Sequence, residues 1–306
     1  MSDQQPPLIE MTKATKRFGR FAAVSNVTFA VQSGEIVGFV GVNGAGKTTT
    51  ISMIMGFIHP TEGSVALFGE PLTPATAHRA HLRMGYAAGD MELPETLTGQ
   101  QYLNFVMNQH GKMQPERLEE LSAIFKPQLS KKIGSLSRGN KQKIALIAAF
   151  VNNPELVVLD EPTSGLDPIM QTAFLDLVRA EQIKGTTIFM SSHYLQEVAE
   201  VCSRVLLMKN GELVEDLSEG RLREAAGKVV TVVSAHEIAV PEHHVKHVTT
   251  ERRGHEIETT FVYSGAMNEL QQWIGKLDDV HDLGISERTL EAEFRNLYKD
   301  KEETST

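Results

Sequence analysis

The sequence predicts an α/β fold with a mostly parallel central sheet, followed by a small α+β domain. Three apolar runs, at residues 35–40, 156–159 and 186–190, predict the central sheet. They are almost continuously apolar, which is typical of strands buried on both faces of a parallel sheet. Each run is followed directly by glycine, acidic, or serine and histidine residues, and in a parallel sheet such groups collect at one edge. We therefore expect the chemistry of the protein at that edge.

Segments with other periodicities surround these three strands. Residues 9–31 alternate in polarity and predict an antiparallel, more exposed β subdomain at the amino end. Residues 97–135 follow a helical pattern. This pattern indicates a helical subdomain, at about residues 90–150, inserted between the first and second apolar strands.

The chain is predicted to contain two domains, residues 1–218 and 219–306. An Asn-Gly turn signal precedes the boundary near Ser218. Beyond it, strand-like and helical stretches predict a small accessory α+β domain, and the polar end predicts a disordered tail. The predicted elements are strands at 229–234 and 257–263, helices at 266–276 and 289–297, and a tail at 299–306. No internal repeat is found, which indicates a single copy of the site described below.

Composition narrows the class of protein. The 306 residues carry a formal net charge of −9, so we expect no nucleic acid to be held by general electrostatics. The one cysteine, Cys202, excludes a disulfide framework within the chain and fits a reducing compartment. It lies in the run at 201–208, which predicts a buried strand, and a small core side chain is the expected role.

The sequence predicts no membrane-spanning segment. The longest purely apolar run, residues 144–151, is far shorter than the roughly 20 residues that a spanning helix needs. The polar first ten residues lack the layout of a signal peptide. We therefore expect that a role at a membrane would require another chain to cross it.

The strongest motif is GVNGAGKTT at residues 41–49, which follows an apolar strand and opens a helical pattern. This is the G-x-x-x-x-G-K-[ST] pattern of a P-loop in the context that a P-loop requires. Glycines let backbone N–H groups wrap around phosphate oxygens, and the helix start adds its positive dipole end. Lys47 is predicted to hold the β- and γ-phosphates and the Thr48 hydroxyl to ligate Mg²⁺. A chance glycine-rich turn is the weak alternative.

Acidic residues and a histidine follow the other two strands. Asp160 ends the run LVVLD and is predicted to help hold Mg²⁺ through water. Glu161 comes next and is a candidate general base for the attacking water. His193, after the third strand, is placed to donate to the γ-phosphate and to orient the water. A lone histidine here would be assigned a structural role, but the presence of a P-loop in the same chain favours a functional one.

The order of these motifs resembles the ATPase subunits of ATP-binding cassette (ABC) transporters. Residues 41–49 correspond to Walker A, 136–140 (LSRGN) to the signature LSGGQ, and 156–161 to Walker B. SGLD at 164–167 corresponds to the D-loop and His193 to the switch histidine. The match covers about residues 8–218 and implies an ABC-type P-loop NTPase fold.

The resemblance also implies the ligands and their sites. ATP and Mg²⁺ would be bound, with catalytic roles for Glu161, His193 and Lys47 and metal contacts from Thr48 and Asp160. A second ATPase subunit, most simply another copy of this chain, would complete each site across a two-fold axis. The implied nucleotide contacts are Phe18, Gly41, Asn43, Gly44, Ala45, Gly46, Lys47, Thr48 and Thr49, and in trans Ser137, Gly139, Asn140 and Asp167. Phe21 competes with Phe18 for the role of the aromatic that stacks on adenine, and either could be a core residue.

The sequence departs from the family pattern at two places. In the family's Q-loop a glutamine contacts Mg²⁺, and here Gly89 stands at that position with Asp90 beside it. Asp90 is a candidate water-mediated metal ligand. In the signature, Arg138 replaces a glycine and Asn140 a glutamine. Arg138 could add positive charge at a closing interface or point to solvent.

The flanking sequences, including GFIHPTEGSVALFGEPL, resemble the type-2 exporter ATPases of bacteria, whose permease subunits are separate transmembrane chains. This implies an ATP-hydrolysing subunit on the cytoplasmic face of the cell membrane. Two alternatives stay open: a soluble ABC ATPase of translation or DNA repair, and a nucleotide-dependent regulatory module without turnover.

Histidines are concentrated in the accessory domain. His243 and His247 have the i,i+4 spacing of a helical metal site. Pro241 nearby and the strand-like VTT that follows argue against a helix there, so a solvated loop is the preferred interpretation.

Overall fold

A computed structural model describes residues 6–89, 92–109, 111, 113–218, 220–222 and 227–287. The chain forms two compact units, Met1–Asp216 and Leu217–Thr306. The predicted helix at 289–297 and the predicted disordered tail lie outside the described residues, and so does Asp90.

The strands of the larger unit belong to two sheets. A six-stranded sheet has the order β10-β9-β3-β8-β7-β6, and a four-stranded antiparallel sheet has the order β2-β1-β4-β5. The strands are β1 (Ile9–Phe18), β2 (Phe21–Val31), β3 (Ile36–Val40), β4 (Glu62–Leu67), β5 (Glu70–Pro71), β6 (Met84–Ala88), β7 (Leu156–Asp160), β8 (Thr187–Ser192), β9 (Arg204–Lys209) and β10 (Glu212–Ser218).

The six-stranded sheet confirms the predicted parallel core. β3 pairs in parallel with β8 and β9, and β7 pairs in parallel with β6 and β8. All residues of β3, β7 and β8 are buried, which explains their continuous apolar sequences. Strand β6 was not predicted, and it forms the edge of the sheet next to β7.

Helices pack against this sheet. They are α1 (Lys47–Ile54), α2 (Ala77–His81), α3 (Gly99–Gln109), α4 (Pro115–Phe125), α5 (Arg138–Phe150), α6 (Pro168–Ile183) and α7 (Leu195–Ala199). The first turn of α5 is capped by Ser137 Oγ, which accepts from Asn140 N. Asp167 caps α6 in the same way, with Pro168 in the first turn.

Helices α3, α4 and α5 fall within the predicted helical insertion. A buried ion pair joins this region to α6, because Arg117 Nη2 of α4 lies 2.8 Å from Glu181 Oε1. Each charge also has a second partner. Arg117 Nη1 lies 2.7 Å from Glu120 Oε2, and Lys184 Nζ lies 2.9 Å from Glu181 Oε1, so the two buried charges are compensated within a network of four residues.

Cys202 is buried, as predicted, but it precedes a strand instead of lying within one, since β9 begins at Arg204. The prediction that Cys202 lies within the strand was wrong, because the strand proper consists of the residues after Ser203. Burial raises the pKa of the Cys202 thiol, so the group stays protonated and unreactive at neutral pH.

The smaller unit is an antiparallel sheet with one helix. The sheet has the order β12-β13-β11-β14, and the buried core consists of Val230, Val232, Phe261, Tyr263 and Leu270. The elements are β11 (Lys228–Ser234), β12 (Val245–Arg253), β13 (Glu256–Tyr263), α8 (Met267–Ile274) and β14 (Val280–Glu287). Strands β11 and β13 were predicted, β12 was anticipated only at the strand-like VTT of residues 248–250, and β14 was missed.

Candidate functional site

The loop between β3 and α1 requires glycine at two of its positions. A Cβ at Gly41 would lie 2.5 Å from the carbonyl oxygen of Met208. Gly46 has a φ of +104°, and a Cβ there would lie 2.5 Å from the carbonyl oxygen of Ala23. At these two positions the loop backbone packs directly against the backbone of β9 and β2, and there is no room for a side chain.

The start of α1 provides positive charge and N–H donors. Gly46 is the N-cap and has no side-chain acceptor, so no side-chain hydrogen bond caps the first N–H groups of the helix. Lys47 is only 5% exposed, and its Nζ donates to the Gly41 carbonyl at 2.7 Å. Asn43, Gly44 and Thr48 are exposed, Thr49 is half-buried and Ala45 is buried. This donor set fits a phosphate group.

The carboxyl ends of β7 and β8 meet beside this loop. Asp160 is buried, and its Oδ1 accepts a hydrogen bond of 2.5 Å from Ser191 Oγ. The Glu161 N–H donates to the same Ser191 Oγ at 2.9 Å. Ser191 therefore orients both acidic residues. Sequence reasoning missed its role, although its position beside Asp160 follows once β7 and β8 pair in parallel.

Glu161 lies at the centre of the site. Its Oε1 is 3.6 Å from Lys47 Nζ and its Oε2 is 3.6 Å from His193 Nδ1. The residue adopts a φ of +49°, a left-handed conformation that is uncommon for a side chain of this kind. Lys47 and His193, from two other motifs, thus both lie close to the Glu161 carboxylate. The carboxylate is 31% exposed, so water can reach it.

Gly89 lies directly against this pair of acidic residues. A Cβ at Gly89 would be 3.0 Å from the Glu161 carbonyl oxygen and 3.3 Å from that of Asp160. On β6, which ends at Ala88 directly before Gly89, burial raises the pKa of Tyr86 to about 12, and the negative charge of Asp160 adds to the rise. The Tyr86 hydroxyl therefore remains protonated throughout the physiological range.

The signature residues form a separate surface at the start of α5. Ser137 is exposed and Gly139 and Asn140 are half-buried. Asn140 Nδ2 donates to Ser137 Oγ at 3.2 Å. Asp167 is exposed, and its Oδ1 accepts from Met170 N at 3.0 Å. Four polar or small groups are therefore presented at two helix starts, α5 and α6.

Phe18 and Phe21 face solvent at the end of the β1–β2 hairpin, where they pair with each other. Phe18 is 53% exposed and Phe21 is 67% exposed. Neither is a core residue, which removes one of the two interpretations left open by the sequence. Lys16 Nζ lies 5.4 Å from the centre of the Phe18 ring.

The histidines of the smaller unit do not share a helix. His243 lies in the segment before β12 and His247 lies on that strand, so the helical spacing is not realised. The preferred loop was also wrong at His247. Among the described residues, no group of three or more histidine, cysteine or acidic side chains could hold a metal ion.

Comparison with known proteins identifies the family. The family model described as ABC transporter matches residues 24–164. The Nod factor export ATP-binding protein I of Burkholderia lata is 34% identical over 217 residues, which cover 68% of this chain and 70% of that protein. The chain belongs to the family of ABC transporter ATP-binding subunits.

A second relative is similar to this ABC subunit over a smaller share of its own length. A protein of Escherichia coli K12, named as a probable multidrug ABC transporter ATP-binding protein YbhF, is 37% identical over 212 residues. Those residues cover 68% of this chain but 36% of that protein, so the chain matches only about a third of the relative's length.

Solved structures share the fold. A structure described as the ATP binding subunit of an ABC transporter superposes with a TM-score of 0.65 at 30% identity, covering 69% of this chain and 90% of the other. The ATP-binding cassette MJ0796, a dimer in a post-hydrolysis state with ADP and Pi, gives a TM-score of 0.63 at 23% identity over 69% and 98% of the chains. The second likeness concerns the fold alone. The predicted ABC-type α/β architecture is confirmed.

A search of the described helices for membrane spans finds none that is long and apolar enough to cross a bilayer.

Proposed function

We propose that this subunit binds and hydrolyses ATP and thereby drives export through separate membrane subunits. The observation that carries the proposal is the meeting of Lys47, Glu161 and His193, with 3.6 Å between the carboxylate oxygens and each of the two nitrogen atoms. Three motifs far apart in the chain converge beside a glycine loop and a helix start. Such an arrangement serves phosphate binding and water activation together.

Binding begins at the loop of residues 41–49. The N–H groups at the start of α1 and the buried Lys47 amine receive the β- and γ-phosphates. Phe18 stacks on the adenine ring, and Phe21 on the facing strand is the competing residue. Their exposure supports this role, because an aromatic ring held at a hairpin end loses little freedom when it stacks.

Magnesium would be held by the Thr48 hydroxyl and, through water, by the buried Asp160 carboxylate, with Asp90 as a further candidate ligand. These are the oxygen donors that Mg²⁺ prefers. When bound, the ion would neutralise charge on the β- and γ-phosphates.

Hydrolysis depends on Glu161. Its carboxylate accepts the proton of the attacking water, and His193, 3.6 Å away, holds the γ-phosphate and the water in line. Lys47 stabilises the charge that develops on the phosphate oxygens. Ser191 keeps the acidic pair oriented through its two hydrogen bonds.

The signature surface serves a second copy of the chain. Ser137, Gly139 and Asn140, together with Asp167, are proposed to contact the nucleotide on the partner subunit across a two-fold axis. Two nucleotides then hold the homodimer closed, and hydrolysis releases it. Such a cycle changes contacts between two states, which a membrane partner can use.

Export through separate permease subunits is proposed from the named relatives. The Burkholderia lata relative is named for Nod factor export and the Escherichia coli relative for multidrug transport. The chain is accordingly proposed to act on the cytoplasmic face of the cell membrane.

Two measurements test the proposal. Purified protein, alone and with its membrane partner, is expected to release phosphate from ATP only with Mg²⁺. Affinity purification from detergent-solubilised membranes is expected to recover a protein with several membrane spans. Absence of Mg²⁺-dependent hydrolysis in both preparations would refute the proposal and favour the alternative of a regulatory module without turnover. Hydrolysis with recovery of soluble partners alone would identify a soluble ATPase.

A further inference from the structure

Arg138 stands where the family signature has a glycine, and its side chain turns toward its own D-loop. Arg138 Nη2 donates to Ser164 Oγ at 3.0 Å. The aliphatic part of the side chain lies over Gly165, since a Cβ at Gly165 would be 3.4 Å from Arg138 Cγ and 3.5 Å from its Cδ. Arg138 therefore bridges the start of α5 and the segment 161–167.

Two further contacts join the same surfaces. A Cβ at Gly139 would lie 2.7 Å from the Gly165 carbonyl oxygen, so the backbones approach closely there. Gln142, 3% exposed, donates from Nε2 to the Pro162 carbonyl at 2.9 Å. The first residues of α5 thus contact the segment 161–167 at three points, and the Arg138 contact lies at the exposed end.

The segment 161–167 carries this contact to the reacting carboxylate. Within it, Ser164 N donates to the Glu161 carbonyl at 3.1 Å and Leu166 N donates to the Thr163 carbonyl at 3.0 Å. Gly165 has a φ of +78°, which places it in the region favoured by glycine. A compact turn therefore starts at the proposed general base and ends at the cap of α6.

We propose that Arg138 is a positioning residue that fixes the turn at 161–167 to the start of α5 in the same chain. The inference rests on the proposed function, in which Ser137 faces the nucleotide of the partner and Glu161 faces the nucleotide of its own chain. When the start of α5 closes on the partner's nucleotide, the turn at 161–167 is held with it. Closure therefore sets the position of Glu161 at the nucleotide of its own chain. A glycine at position 138 would leave this task to Gln142 and to backbone contacts.

The substitution Arg138→Met tests the contact. Methionine keeps the helix propensity and an unbranched stem over Gly165, and it removes the guanidinium that bonds Ser164. Lys141→Met is the matched control, because Lys141 lies on the same helix and pairs with Glu95 at 3.3 Å instead of the D-loop.

Hydrogen–deuterium exchange of the full-length protein without nucleotide reads the turn directly. In Arg138→Met the amides of Ser164 and Leu166 are expected to exchange about three- to tenfold faster, as loss of one hydrogen bond implies. Lys141→Met should match the wild type. Equal exchange in Arg138→Met and wild type, or equal acceleration in Lys141→Met, would overturn the proposal.

Steady-state ATP hydrolysis by the full-length protein separates positioning from general destabilisation. Arg138→Met is expected to lower kcat by about three- to tenfold with an unchanged KM for ATP, because the P-loop is intact. Ser164→Ala should have the same effect, and the double variant should be no slower than either single one. Additive losses, or an unchanged kcat in Arg138→Met, would contradict the proposal.

The two hypotheses fail in different ways. A wild-type protein without ATP hydrolysis would refute the proposed function, and the exchange experiment would still decide whether Arg138 holds the turn.

Discussion

The six-stranded sheet of the larger unit and the four-stranded sheet of the smaller unit differ in how far their strands are buried. In the larger unit, every residue of β3 and β7 is buried, and helices cover the parallel sheet. In the smaller unit, β13 alternates over much of its length, and eight of the nine residues of β12 are exposed. One sheet is covered on two faces and the other is largely open.

This difference explains where the candidate site lies. Parallel strands direct their carboxyl ends to one edge, so Asp160, Glu161 and His193 arrive beside the loop at 41–49. Antiparallel strands send successive ends to opposite edges, so the strand ends of the smaller unit do not gather polar side chains at one edge. The comparison predicts that chemistry is confined to the larger unit.

The largest expected effect is that of Glu161→Gln. Removing the general base should lower kcat for ATP hydrolysis by about 10²–10⁴, while ATP binding persists and an ATP-bound dimer accumulates. Phosphate release and size-exclusion chromatography with ATP measure these two effects. Glu269→Gln, which alters a carboxylate of the smaller unit that accepts from Tyr263, is the control and should leave kcat unchanged. Similar kcat values for both variants would contradict the prediction that the chemistry is confined to the larger unit.

Truncations of core residues compare the stabilities of the two units. Phe189→Ala and Phe261→Ala each remove a fully buried ring and should cost about 3–5 kcal/mol within their own unit. The only tryptophan of the chain, Trp273, packs edge-on against Phe261 with 5.2 Å between ring centres. Its fluorescence therefore reports the smaller unit, and the thermal loss of ATP hydrolysis reports the larger one.

Phe261→Ala should shift the fluorescence transition and leave the hydrolysis transition in place, and Phe189→Ala should do the reverse. A single variant that shifts both transitions equally would show that the two units do not unfold separately.

The smallest expected effect concerns a charged pair. Arg83 donates to Glu155 through two hydrogen bonds of 2.7 and 2.6 Å, and these hold the pKa of Glu155 below its usual value of 4.5. A lowered folded pKa stabilises the protein above the unfolded pKa, and the stabilisation is lost as the pH falls through the folded value. Both side chains are about half exposed, so Glu155→Gln should cost less than about 1 kcal/mol at pH 7.

Urea unfolding followed by circular dichroism, at pH 7 and below pH 4.5, measures this loss. The gap between wild type and Glu155→Gln should close at the lower pH. Glu251→Gln on β12 is the matched control, because its pair with Arg253 is two-thirds exposed and should add nothing measurable. A gap that widened toward low pH would contradict the assignment.

Much of the larger unit follows from local sequence. The loop at 41–49 needs glycine, lysine and threonine at fixed spacing, and the strands around it are recognisable because both of their faces are buried. Ser137 and Asp167 cap α5 and α6, a role that was not predicted although serine and aspartate are among the preferred N-cap residues. The full length of β12 and all of β14 were missed because exposed strands carry few apolar residues to produce a periodic signal.

Consecutive residues specify the P-loop, the acidic end of β7 and the order of the ABC motifs, so these features could be predicted from the sequence. The contacts between distant residues emerge only in the folded chain. The tertiary structure placed Ser191 between Asp160 and Glu161, brought Gly89 against the same pair and turned Arg138 toward Ser164. These placements depend on strand order and helix packing, which join residues tens of positions apart and leave no periodic signal in the chain.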